Sequence, residues 1–275
     1  MSDKSSHTTN ETPLMQRALD LAISALGTTW PNPAVGCVIA AGDGAIISSG
    51  ATGRGGRPHA ETLAIDNAAP TRLSGATAYV SLEPCNHFGE TPPCSLALIE
   101  SGVGRVVVAT LDPDPRVNGT GVARLRQHGV EVNVGLLQQR ADEINAGFYS
   151  RVRRGRPWLC QLDIDSSSPD PLLGVDHCDA LLVSSADLER LPASVSLAVC
   201  VASEQLPPRL PEGPLVWTCG HEASAQIPLQ RAADGRINYE ALLGLLGSRG
   251  LTRLGVDRRF ADIGLLRRAG LLDAG

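Results

Sequence analysis

The chain has 275 residues, enough for one large domain or two modest ones. Hydrophobic residues at 43% and charged residues at 19% exclude a disordered chain, and with aromatic residues at 3% the core falls to Val, Leu, Ile and Ala. A net charge of -5 argues against a nucleic-acid partner, and no apolar run nears the roughly 20 residues a membrane span needs.

The polar start, MSDKSSHTTNETP, lacks a hydrophobic signal core and predicts a disordered tail over residues 1–13 of a cytoplasmic protein. From Leu14 to Leu26 apolar residues recur at helical spacing, and Pro31 and Pro33 then end the helix. AVGCVIAA and AIISSG flank a Gly42–Gly44 turn and predict a β-hairpin. A helix over His59–Ala69 follows, then a strand at ATAYVSL, a helix at SLALIESG closed by Gly102, and a strand at RVVVATL. A helix across GVARLRQHG, a strand at VEVNVG and a closing helix over LLQQRADEINAGFYSRVRRG complete the first unit. This order predicts a three-layer α/β domain over residues 14–150, with helices on both faces of its sheet. The basic stretch Arg151–Arg156 is the expected linker, and renewed alternation from 157 to 275 predicts a second, smaller α/β domain.

Chemistry is concentrated between residues 59 and 94. Seven cysteines, an odd number, argue against a disulfide scaffold and for reduced thiols with a few in a metal site. His59, Cys85 and Cys94 are candidate ligands for a Zn²⁺ ion, which in a catalytic site keeps one position for water. TPPC resembles a helix start, with Thr91 as cap and Cys94 near the positive end of the helix dipole, where a thiolate is favoured. Glu61, two residues after His59, is the candidate catalytic proton carrier. H-x-E followed by P-C-x(n)-C is the pattern of zinc-dependent nucleobase deaminases. A structural site would need a fourth ligand, for which His87 is the candidate; Glu83 suits a structural hydrogen-bonding role at least as well as a chemical one.

PNPAVGCVIA, HAE, GATAYVSLEPCNHFGETPPC, VVVATLDPDPRVNGTG and LRQHGVEVNVG together resemble the deaminase domain of the bifunctional riboflavin-biosynthesis deaminase/reductase family. The resemblance runs from Leu14 to Phe148 and includes the eight residues separating Cys85 from Cys94. It implies a cytidine-deaminase-like fold and hydrolytic deamination of 2,5-diamino-6-(5-phosphoribosylamino)pyrimidin-4(3H)-one or a close analogue. It also implies that Asn32 binds the pyrimidine ring, that His87 lines the pocket, and that backbone N–H groups near Glu83–Cys85 polarise the reacting carbon. Two positions depart from the family pattern. Glu90 stands where a basic residue meets the substrate phosphate, and Thr52 stands where a histidine is common; both, with Arg54, are expected to contact the substrate. Either Arg54, Arg57 or Arg116 restores the charge, or the substrate is a related non-phosphorylated pyrimidine of a specialised pathway.

The second half resembles a degenerate reductase domain of the same family. Leu162 replaces a lysine, Ser-Ser-Ser-Pro replaces a motif, DALLVSSADLERLP lacks a Gly-x-Gly-Thr, and Asp257-Arg258-Arg259 replaces Glu-Gly-Gly. The sequence ends at Gly275, before the closing strands that the resemblance implies. Since only glycine lets the backbone approach a phosphate so closely, no NADPH chemistry is expected. A non-catalytic domain that supports a homo-oligomer, a dimer, is the expectation, and a non-catalytic binding or regulatory protein is the alternative from another class.

Overall fold

The computed structural model describes residues 8–114, 117–164, 172, 174–184, 187–188, 191, 195, 197–201, 215–220, 227–228 and 230–274. Two compact units divide the chain, residues 1–145 and 146–275.

The first unit opens with helix α1, Thr8–Ala25. The helix therefore starts inside the expected disordered tail, of which only residues 1–7 lie outside the described residues. An ion pair between Glu11 and Arg105 fastens this extra turn to the sheet. Strands β1 (Gly36–Ala40) and β2 (Ile46–Ala51) form the hairpin, followed by α2 (Ala60–Asp66), β3 (Thr77–Val80), α3 (Cys94–Glu100), β4 (Arg105–Val108), α4 (Thr120–Gln127), β5 (Glu131–Val134) and α5 (Gln138–Ile144). The sheet order is β2-β1-β3-β4-β5, antiparallel through β1 and parallel from β3 to β5.

Two glycines set the layers. A Cβ on Gly36 would lie 1.9 Å from the Ala18 carbonyl oxygen, so α1 rests directly on the backbone of β1. A Cβ on Gly50 would lie 2.5 Å from the Ala60 oxygen and 2.8 Å from the Ala64 nitrogen, so α2 rests directly on β2. Gly50 pairs with Cys37, the neighbour of Gly36, and successive residues of a strand face opposite sides. The two helices therefore cover opposite faces, as a three-layer α/β domain requires.

The long closing helix predicted from the sequence breaks at Asn145. Its buried amide donates to the Ala34 oxygen and accepts from the Ala34 N–H, both at 3.0 Å. The boundary accordingly falls at 145/146 rather than in the basic stretch. Helix α6 (Ala146–Arg154) opens the second unit, and the supposed linker is held within it: Arg154 and Arg156 both pair with Asp273. This unit contains β6 (Trp158–Leu162), β7 (Ala180–Ser184), β8 (Leu197–Val201), β9 (Leu215–Gly220), β10 (Ile227–Pro228), α7 (Tyr239–Ser248), β11 (Arg253–Asp257) and α8 (Ile263–Arg268). Its sheet order is β10-β9-β8-β7-β11-β6, parallel throughout. Buried runs such as Ala180–Val183 on β7 show no alternation, as expected of a sheet covered on both faces. No helix among the described residues is long and apolar enough to cross a membrane.

Candidate active site

Helix α2, seated by Gly50 on β2, begins immediately after His59, which serves as its N-cap. Helix α3 begins at Cys94 itself, with Pro93 as its cap. The expected Thr91 cap is not formed, because the cap position falls two residues later, at Pro93; the Thr91 hydroxyl instead accepts a hydrogen bond from Arg57 at 2.9 Å. Cys85 lies in the turn after β3, and the Cys94 N–H donates to its Sγ at 3.3 Å.

His59, Cys85 and Cys94 converge. The His59 Nδ1 lies 3.1 Å from the Cys94 Sγ and 3.6 Å from the Cys85 Sγ, and the three donor atoms all fall within 4.8 Å of one another. Around a tetrahedral zinc, a nitrogen at about 2.1 Å and a sulfur at about 2.3 Å stand about 3.6 Å apart. Both the donor chemistry and the spacing fit that ion. Among the described residues this is the one cluster of its kind, and it has three members. His87 is exposed and outside it, so the fourth protein ligand of a structural site is not supplied there.

The electrostatics separate the two thiols: the thiolate expected at Cys94 is favoured at Cys85 instead. Hydrogen bonding from Cys94, with further help from His59, lowers the Cys85 thiol to about 4. Cys94 is raised, since it remains the proton donor to Cys85 and is buried beside Glu61. Glu61 is 4% exposed, so desolvation pushes its carboxyl up, to about 7, with the Cys85 charge adding to the shift.

The other expected residues divide into two groups. Asn32 is half-buried and donates to the Gly55 oxygen at 3.1 Å, while Arg54 is exposed on the same 53–57 loop. Arg57 ends that loop and pairs with Glu90 at 3.2 Å. Asn32, Arg54, Arg57 and Glu90 thus form one group on or against the 53–57 loop. Thr52 is not among them: its buried hydroxyl accepts from the Val35 N–H and donates to the Val35 oxygen, extending the hairpin. The Thr52 hydroxyl, expected at the substrate, is thus spent on the hairpin. The Glu83 N–H is committed to the Thr110 oxygen and Pro84 has none, which leaves Cys85 alone of that trio as a backbone donor. Arg116 lies outside the described residues.

Sequence reasoning missed Asn86 and Cys37. Asn86 binds Ser95 and Arg124, and Cys37, on the strand beneath, is close enough to Glu61 for its charge to be felt. Neither offers a local pattern, because their partners are distant in sequence.

Residues 8–110 match the cytidine and deoxycytidylate deaminase zinc-binding region. The diaminohydroxyphosphoribosylamino-pyrimidine deaminase of Buchnera aphidicola subsp. Acyrthosiphon pisum is 45% identical over 148 residues, which cover 54% of this chain and 99% of that protein. The chain belongs to this deaminase family. Within the family, the riboflavin biosynthesis protein RibD of Haemophilus influenzae is 50% identical over 145 residues, 53% of this chain and 38% of that one. The matched segment thus spans about two-fifths of the RibD relatives. The Acinetobacter baumannii RibD structure extends the likeness over 98% of this deaminase-family chain and 86% of that one, with a TM-score of 0.78 at 28% identity. The likeness therefore continues into the second unit.

Leu162 and Asp257, two positions expected to depart from a reductase pattern, are register partners at the carboxyl ends of β6 and β11. Ligands of open α/β sheets bind at such ends. Here Asp257 accepts from the Ile164 N–H and from the backbone and guanidinium of Arg259, and Arg258 pairs with Asp163 at 2.9 Å. The Ser-Ser-Ser-Pro stretch lies outside the described residues.

Proposed function

We propose that the protein is a zinc-dependent hydrolase that deaminates a diaminopyrimidinone carrying a phosphoribosylamino group. The observation that carries the reading is the convergence of His59 Nδ1 with the sulfurs of Cys85 and Cys94, beside the buried Glu61. His59, Cys85 and Cys94 would hold the zinc, which when bound supplies a Lewis acid that brings the pKa of water to about 7. Glu61 takes a proton from the attacking water and hands it to the leaving amine, so that C–NH₂ and H₂O become C=O and NH₃. Its raised carboxyl lets it hold that proton near neutral pH.

Asn32 orients the ring, with His87 and Arg54 flanking it. Arg57 is the cation for the substrate phosphate, restoring the charge reversed at Glu90. The Arg57–Glu90 pair supports this, since Glu90 is 81% exposed and such a pair contributes only about 0–1 kcal/mol. A phosphate with nearly two charges displaces it. The second unit carries no reductase chemistry, a reading supported by the ion pairs that Asp257 and Asp163 form at the carboxyl ends of β6 and β11. A cytoplasmic location and a homodimer complete the reading.

The test is ammonia release from the phosphoribosylated pyrimidine by zinc-loaded protein. Glu61→Gln is expected to lose roughly 10²–10⁴-fold in kcat while keeping its zinc. Equal activity in parent and variant, or a preference for the dephosphorylated compound, refutes the corresponding part. NADPH titration followed by fluorescence tests the absence of reductase chemistry, and sedimentation velocity tests the homodimer.

A further inference from the structure

Cys85 is flanked by two polar residues that the chemistry above does not use. Glu83 is 3% exposed, and its carboxylate accepts four backbone N–H groups. Its Oε2 takes those of Asp112 at 3.2 Å and Gly119 at 2.9 Å, and its Oε1 those of Gly121 at 2.9 Å and Val122 at 3.2 Å. A carboxylate has about four lone-pair sites, so none is left for proton transfer. On the other side of Cys85, the Asn86 Nδ2 donates to the Thr120 oxygen at 3.2 Å. The Asn86 Oδ1 accepts from the Ser95 hydroxyl at 2.9 Å and from Arg124 at 3.2 Å.

Both sides of the Cys85 turn are therefore fastened to one stretch of chain, residues 119–124, at the start of α4. The seat is close: a Cβ on Gly121 would fall 2.1 Å from the Pro84 carbonyl oxygen. Ser95 adds a link to the helix that carries Cys94, its N–H donating to the Cys85 oxygen at 3.1 Å. The turn has little freedom to move its sulfur without breaking several of these bonds.

We propose that Glu83 and Asn86 are positioning residues for the metal centre, holding the Cys85 sulfur in ligating geometry by clamping its turn to the start of α4. The inference rests on reading His59, Cys85 and Cys94 as zinc ligands. In Glu83→Gln one oxygen becomes an NH₂ that faces two N–H donors, so half of the clamp turns repulsive while the shape is kept.

The test uses the full chain loaded with one zinc, challenged with excess chelator, with zinc release followed over time. The melting temperatures of the loaded and stripped forms are measured alongside. Glu83→Gln is expected to release zinc roughly 10–100-fold faster than the parent. Asn86→Ala is expected to release it faster too, and the gap between loaded and stripped melting temperatures narrows in both. Should Glu83→Gln fail to fold, Asn86→Ala decides alone. Folded variants that keep the parent's release rate overturn the inference, as does an equal drop in both melting temperatures with release unchanged, which marks a role in folding only. A parent that binds no zinc overturns the metal reading and this inference with it.

Discussion

Replacing Gly50 by alanine tests how the metal-binding helix is seated. The new Cβ would stand 2.5 Å from the Ala60 oxygen, 2.8 Å from the Ala64 nitrogen and 2.8 Å from the Leu63 Cβ. Two of these neighbours are backbone, so no side chain can swing aside. Ordinary contact begins near 3.4 Å, so the first turn of α2 must retreat by about 0.9 Å, the difference from 2.5 Å. Overpacking of this kind costs about 1–3 kcal/mol. His59 caps that turn and Glu61 lies within it, so both reacting groups move together. A misplacement of about 1 Å costs about 100-fold in rate. The expected outcome is a folded protein, destabilised by about 2 kcal/mol in denaturant titration, whose ammonia release falls about 100-fold. Gly42→Ala is the control, since its Cβ would meet nothing within 4 Å, and it should leave both quantities unchanged. If Gly50→Ala keeps activity within twofold of the parent, α2 does not depend on this contact and the reasoning fails.

Glu90→Gln should lower KM for the phosphorylated substrate by up to about fivefold, because a weak surface pair no longer competes for Arg57. An unchanged KM across a salt series would count against Arg57 as the phosphate's partner. In the second unit, burial alone would raise the Asp257 carboxyl, but donation from Arg259 and from the Ile164 N–H prevails and holds it at about 2. A folded pKa below the unfolded value near 3.9 stabilises above about pH 4, by about 2 kcal/mol, and that stability fades as pH falls toward 2. The stability difference between parent and Asp257→Asn should therefore shrink on acidification from pH 5, and a constant difference would exclude the effect. Stripping the zinc with chelator should lower the melting temperature and restore it on readdition, whereas His59→Ala should show no such response.

The metal centre was legible because its parts are local. His59-x-Glu61 and the Cys85–Cys94 interval are short patterns of reactive residues, and the prolines before Cys94 fix where a helix can begin. The strands were equally readable from apolar runs, since burial on both faces leaves an unbroken stretch such as Val106–Val108. What stayed hidden depends on partners far along the chain. Asn145 breaks a helix that periodicity would continue, because Ala34, 111 residues earlier, offers both its backbone groups. Thr52 looks like a pocket residue until the Val35 backbone takes its hydroxyl. Glu83 reveals its use only when four N–H groups from the distant segment 112–122 arrive around it.

All three zinc donors and Glu61 fall between residues 59 and 94, inside a unit that ends at Asn145. The whole cluster is drawn from one short interval of that unit. Such a cassette is portable: a descendant could discard, exchange or let drift the trailing half and still inherit the whole metal cluster. The Buchnera relative, matched over 99% of its own length by just 148 residues, is what such a stand-alone cassette looks like.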